Sequence, residues 1–180
     1  MKNKYALVFA ILFFYSCGQE KEKNKNEVVF YNLKSRFQSY GLDTLTFDVK
    51  RSGNAFIYTY RQKGDNKFLI SVSDSMNYVV EKNDTIFLKL CCKNSFRFDE
   101  KNSYPVKVFL ESGQGVDGGS LYYINDKLGL ILKSAITWNS QKRLLTFSNN
   151  DSLTLLANIL SDQCLSYDDW RNEIRNCRDW

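Results

Sequence analysis

At 180 residues, 43% of them hydrophobic and 25% charged, the chain fits one globular domain and is too apolar to be disordered. Histidine is absent, which removes the commonest general base, the usual serine and cysteine triads, and the commonest zinc ligand. The net charge of +5, with no basic stripe, argues against nucleic acid as a partner.

The first residues form a secretory leader. Lys2 and Lys4 supply the positive start, and "YALVFAILFFY", residues 5 to 15, is the apolar segment. Eleven residues of helix span about half of a bilayer's hydrocarbon core, too little to cross it. The segment ends at "FYSC" and gives way to "GQEKEKNKNE", ten residues without an apolar side chain. Such a stretch cannot bury anything and serves as a solvated tether.

"FYSC" resembles the lipobox of bacterial lipoproteins, and with the Lys/Asn-rich composition it resembles small lipoproteins of the Bacteroidota. Phe14 stands where leucine is usual, and Tyr15 is bulky for its place. The resemblance implies that Cys17 is lipidated with diacylglycerol and becomes the first residue after cleavage behind Ser16. Several acyl chains, at about 0.8 kcal/mol per buried methylene, hold a protein firmly to a bilayer. Gly18, rather than an aspartate, implies residence in the outer membrane. The expected organisation is therefore a leader over 1–16, a lipidated cysteine and tether over 17–27, and a single domain over 28–180.

Along that domain, "VVFYNLKSRFQSYG" carries Phe30, Leu33, Phe37 and Tyr40 at helical spacing, with Gly41 as a stop. This predicts an N-terminal helix, although "VVFY" alone also fits a strand. Period two then takes over in "TLTFDVK", where Leu45, Phe47 and Val49 share a face. It continues through "AFIYTY", "KFLISV", "YVVE", "TIFLKL", "VKVFLE", "LYYIN", "LGLILK" and "RLLTF", with short polar turns between them. Aromatic residues, 15% of the chain, suit such strands. Eight to ten strands in sequence predict an antiparallel meander curled into a barrel or half-barrel.

At the C-terminus the period becomes helical again. "DSLTLLANILSD" places Leu153, Leu156 and Leu160 in a stripe widened by Leu155 and Ile159, with Asp151 as the N-cap. "SYDDWRNEIRNCRDW" predicts a second helix, with Tyr167, Trp170, Ile174 and Cys177 on one face and Ser166 and Asp169 as a capping pair. Both helices are expected to pack on the sheet, and the fold class is α+β.

Besides Cys17 there are Cys91, Cys92, Cys164 and Cys177. An even set in an exported chain predicts disulfides. Adjacent Cys91 and Cys92 are too close to join without strain. Strand parity places Cys92 with Ile86, Leu88 and Leu90 toward the core, so the expected bridge joins Cys92 to Cys177 or Cys164. Buried, reduced cysteines are the alternative.

Other motifs carry less chemistry. "GQGVDG", residues 113 to 118, matches a dinucleotide fingerprint, but strand-like "SLYYIN" follows it where a helix is required. Asp168, Asp169 and Glu173 read as a solvated face satisfied by Arg171 and Arg175, and Asp99 with Glu100 lacks the spacing of a calcium loop. Thr44, Ser75, Thr85 and Ser152 each follow an aspartate and precede an apolar residue. This resembles the O-glycosylation motif of the Bacteroidota; Asp-Ser and Asp-Thr are also ordinary turn and cap pairs. Tyr58, Tyr60, Tyr122 and Tyr123 pack under the covering helices or line a ligand groove.

No catalytic residue, cofactor motif or metal site is read from this chain. The expected function is non-enzymatic: a binding or scaffolding module of the cell envelope. Its partners are the lipid bilayer through Cys17 and an envelope protein or an apolar ligand. The second expectation is a carrier of an apolar ligand or lipid, similar in architecture alone to unclosed barrels with helical lids that ferry lipoproteins. The third is a carboxylate-based enzyme. A carrier requires an apolar, partly empty interior, a scaffold a filled one, and an enzyme a cleft of carboxylates with perturbed pKa values.

Overall fold

A computed structural model describes residues 26–34, 39–63, 65–97, 102–111, 119–136, 140–148, 150–166 and 177. The strands are β1 (Asn26–Lys34), β2 (Ser39–Ser52), β3 (Ala55–Gln62), β4 (Asp65–Val72), β5 (Tyr78–Glu81), β6 (Asp84–Arg97), β7 (Ser103–Glu111), β8 (Ser120–Asn125), β9 (Gly129–Ala135) and β10 (Gln141–Phe147). One described helix follows, α1 (Asp151–Ser166). Each strand pairs antiparallel with the next, and β1 also pairs with β10, so the meander closes into a ten-stranded barrel. Closure leaves the sheet no edge to protect.

The structure corrects several expectations. Of the barrel and half-barrel expected, the sheet forms the closed barrel. The segment expected as an N-terminal helix is β1 and the start of β2, with Phe37 outside the described residues. Val28 and Phe30 of β1 are fully buried, and the strand hydrogen-bonds on both sides; two ladders outweigh a helical spacing of apolar residues. Asn26 and Glu27, assigned by sequence to the tether, are ladder residues opposite Phe47 and Thr46. The second C-terminal helix lies outside the described residues except at Cys177.

Contacts between strands that are not neighbours identify the interior. Phe30 of β1 meets Tyr60 of β3 and Phe68 of β4, with ring centres 5.6 and 6.2 Å apart. Phe47 of β2 meets Phe147 of β10 at 6.0 Å. Tyr60 stacks on Phe68 at 4.3 Å, and its hydroxyl accepts the Leu130 N–H of β9 at 2.8 Å. Tyr58 donates to the Asp126 carbonyl at 3.2 Å. Large rings fill the middle of the barrel, and the phenol hydroxyls that burial would orphan are bonded to backbone. Gly129, at φ +70°, makes this packing fit. A Cβ there would collide with the Tyr60 hydroxyl and press on Phe47 and Tyr58.

The outer surface is not uniform. On β2, outward Thr44, Asp48 and Lys50 are exposed, the reverse of the apolar belt on a membrane-spanning barrel. Most side chains of β8 and of the first half of β9 are buried, and α1 packs outside β10 and β9. Asn158 of α1 donates to the Leu145 carbonyl at 3.1 Å, and Arg143 of β10 pairs with Asp162 at 2.8 Å. Leu156, Ala157 and Leu160 form the buried stripe, while Leu155, expected to widen it, is 62% exposed. The N-cap is Asn150, whose side chain accepts the Leu153 N–H at 2.9 Å, not Asp151. Among the described residues no helix is long and apolar enough to cross a membrane.

Candidate functional site: the two ends of the barrel

The antiparallel ladder sorts the connections between two ends. The 53–54 hairpin, the 73–77 loop, the 126–128 turn and the start of β1 lie at one, the near end. The 82–83 turn, the end of β1 and the start of β10 lie at the other, the far end. The chain therefore enters the barrel at its near end.

The far end opens into a cavity of about 230 Å³. Its charged groups come from β2, β5, β9 and β10, with Lys133 and Glu81 on opposite walls and Lys142 and Asp43 on the two strands that flank β1. Lys142 of β10 reaches Asp43 of β2 at 3.1 Å, and its ammonium lies 5.3 and 4.8 Å from the ring centres of Phe30 and Phe68. Lys133 of β9 faces Glu81 of β5 at 3.8 Å and sits 4.9 Å from the Tyr122 ring centre. Asn32, Ser120, Ser140 and Gln141 add neutral donors and acceptors. The lysine stems run along the aromatic middle while their ammoniums gather at the opening.

Burial shapes the electrostatics here. It works with neighbouring Lys133 to hold Lys142 below the usual lysine range, and the Asp43 carboxylate offsets only part. Burial alone would raise Asp43, but hydrogen bonds and charge from Lys142, with help from Asn32, outweigh it and hold that carboxyl low. Lys133 moves the other way: burial opposes its charge, yet Tyr122, Glu81 and Glu111 together raise it. Burial pushes the Tyr122 phenol up, with the Lys133 ammonium pulling it partly back. Asp43 is thus an ion-pair acceptor and not a proton donor near neutral pH.

The near end holds a smaller cavity of about 170 Å³ between Asn54, Asp74, Lys93, Lys107 and Phe109. Lys107 is bound to Asp126 at 2.7 Å and lies 5.9 Å from the Phe56 ring centre. Both ends thus pair inward lysines with a carboxylate and an aromatic ring.

None of these lysines or carboxylates stands out as a site in the sequence. A signal exists in strand parity. Asp43 is in phase with core residues Leu45 and Phe47, Glu81 with Val79, and Lys142 with Leu144. A charge on the apolar face of a strand either meets a partner inside or marks an opening. All four tyrosines are buried, in different places. Tyr58 and Tyr60 fill the middle of the barrel and Tyr122 stands beside Lys133. Tyr123, raised by burial and then by Cys164 and Cys92, lies on the outer face under α1.

The disulfide joins Cys177 to Cys91, not to Cys92, across 86 residues with Cα atoms 5.4 Å apart. The ladder passes from Leu90 opposite Phe109 directly to Cys92 opposite Val108, so Cys91 is the extra residue of a β-bulge. A bulge reverses strand parity beyond it, which is why the expected inward Cys92 shares the outer face with Val108 and Tyr123. Closing a loop of that length stabilises a fold by roughly 3–5 kcal/mol in the chain-entropy account. Neither Cys92 nor Cys164 is in a disulfide. Cys164 lies on the buried face of α1, and burial pushes its thiol up to about 12.

The four O-glycosylation candidates Thr44, Ser75, Thr85 and Ser152 are all exposed, on β2, the 73–77 loop, β6 and the first turn of α1. Cys17, the 113–118 glycine motif, Asp99, Glu100, Asp168, Asp169 and Glu173 lie outside the described residues. Comparisons with protein-family models, curated proteins and solved structures gave no match. Fold and site therefore define a class by themselves: a closed ten-stranded meander barrel with an aromatic interior, charged openings and an external helix.

Proposed function

We propose that the chain is an envelope lipoprotein, anchored through Cys17 in the outer membrane, whose barrel is a non-enzymatic binding module. One observation carries the binding part. The rings of Phe30, Phe47, Tyr58, Tyr60 and Phe68 occupy the barrel's middle, and the larger of the two described cavities is the polar far end. A filled interior weighs against the carrier of an apolar ligand. The low-lying Asp43 carboxyl, bound to Lys142, weighs against acid–base catalysis at that end.

The topology adds an orientation. A tether from Cys17 joins at the near end, where β1 begins, and the far mouth opens on the opposite side of the domain. The module would then present its mouth away from the bilayer. The exposed hydroxyls of Thr44, Ser75, Thr85 and Ser152 are open to the glycosylation that their sequence context implies.

Two experiments test this. Metabolic labelling with an alkynyl fatty acid should mark the natural chain and not Cys17→Ala; an unlabelled natural chain refutes the anchor. Native mass spectrometry of the full chain from its host should show a small polar adduct that Ala135→Trp, at the far mouth, removes. A bare protein or a co-purifying lipid speaks against the binding reading.

A further inference from the structure

The ring closes, but one seam of it is short. Among the described residues, β9 and β10 pair from Ser134 and Gln141 to Leu132 and Arg143, and no further toward the near end. Both strands continue past that point, β9 against β8 and β10 against β1. Backbone groups that a ladder would satisfy there must find other partners. Helix α1 supplies them. Thr154 accepts the Phe147 N–H at 2.9 Å and donates to the Phe147 carbonyl at 3.2 Å. Asn158 donates to the Leu145 carbonyl at 3.1 Å. Asp162 meets the Arg143 side chain at 2.8 Å, where the ladder resumes. Two periods keep step here: four residues of helix rise about 6.0 Å, and two residues of strand about 6.8 Å. Residues 154, 158 and 162 therefore follow 147, 145 and 143, and one face of α1 takes the place of a strand. On the β9 side the Leu130 N–H goes to the Tyr60 hydroxyl at 2.8 Å.

The helix is held at both ends. Its start follows β10 directly, and Cys177, soon after its end in the chain, is bonded to Cys91 of β6. Lys89 of β6 also donates to the Cys177 carbonyl at 3.0 Å. The bridge restricts how far the C-terminal half of α1 can leave the wall. It withholds chain entropy from an opened state as it does from the unfolded one. We infer that the β9–β10 seam is a lateral opening closed by α1, and that the Cys91–Cys177 disulfide is the redox latch that keeps it shut. The reductant is a dithiol. Its first thiolate attacks the half-buried Cys91 sulfur and displaces the Cys177 thiolate, which takes up a proton. Its second thiolate displaces Cys91, which is protonated in turn, and closes the reductant's own disulfide. Two electrons pass to the bridge and two protein thiols result. The helix then undocks while the continuous ladders hold the other strands. Its departure bares the β10 backbone at Leu145 and Phe147, a strand edge that the closed form lacks.

The test is hydrogen exchange of the full chain in detergent micelles, with the bridge intact and after reduction by dithiothreitol. Reduction should speed exchange about tenfold or more in residues 144–147 and 153–162, and leave β2 and β3 unchanged. Cys91→Ser should reproduce the reduced pattern without reductant. Cys92→Ser, with the bridge intact, should match the natural chain. Equal exchange in the two redox states overturns the latch. A rise of similar size in β2 and β3 also overturns it, since the bridge then stabilises the barrel as a whole. Thermal melts show whether the reduced chain folds at the temperature used. If it does not fold at all, the latch falls, and Asn158→Ala with the bridge intact decides the seam alone. Faster exchange confined to residues 144–147 and 153–162 supports the seam; no change, or a change in every strand, refutes it.

Discussion

The middle of the barrel and its far mouth share the same inward face yet follow opposite rules. In the middle, rings stack at 4.3 Å and every described phenol hydroxyl finds backbone, so burial and hydrogen bonding act together. At the mouth, two lysines stand side by side over aromatic rings, and their carboxylates come from strands that do not pair with theirs. The middle is built for stability. The mouth retains charge that stability alone would not select, since buried ion pairs seldom outperform apolar packing.

That contrast sets an order of expected effects. The largest belongs to the middle: Tyr60→Ala removes a fully buried ring and orphans the Leu130 N–H. It should cost about 4–5 kcal/mol by urea denaturation. Next, Cys91→Ser should lose roughly 3–5 kcal/mol, whereas Cys92→Ser should lose much less, an asymmetry that checks the bulge directly. Gly129→Ala, which combines a positive φ with a collision against Tyr60, should cost roughly 2–3 kcal/mol. At the mouth, the double change Asp43→Leu with Lys142→Met should be close to neutral, within about 1 kcal/mol, or stabilising. A loss there as large as that of Tyr60→Ala would erase the distinction between the two regions.

The two regions also differ with pH. Burial raises the phenols of Tyr58, Tyr60, Tyr122 and Tyr123. Their contribution is complete below the unfolded value near 10 and is lost above it, by about 1.4 kcal/mol per pH unit for each phenol. Asp43, held low, acts at the other extreme: its contribution is present above the unfolded carboxyl value and disappears as pH falls through the folded one. Lys142, also held low, gains stability with rising pH below the unfolded lysine value, opposing the tyrosines. Urea unfolding between pH 9 and 11 should therefore show a net fall that becomes shallower when Tyr60 is replaced by Phe.

Much of the barrel is legible in the sequence because alternation is a local property. All nine runs read as strands are strands. The first strand misleads because Phe30, Leu33, Phe37 and Tyr40 happen to fall at helical intervals, and only ring closure decides the matter. Parity fails wherever a bulge intervenes, as at Leu90 to Cys92, and no residue type announces that bulge. The mouth escapes notice for a different reason. A lysine in a strand looks like an outward residue until a non-neighbouring strand supplies Asp43 or Glu81, and those partners are 99 and 52 residues away in the chain.

The claim on which the rest depends is that rings, and not ligand, occupy the barrel's middle. Titration of the full chain with the neutral apolar fluorophore N-phenylnaphthylamine, in a host membrane preparation matched by a Cys17→Ala control, tests it most directly. The natural barrel should give no saturable fluorescence above background, and Tyr60→Phe should behave the same. Stoichiometric uptake of the probe by the natural protein, quenched by competing lipid, would contradict the account.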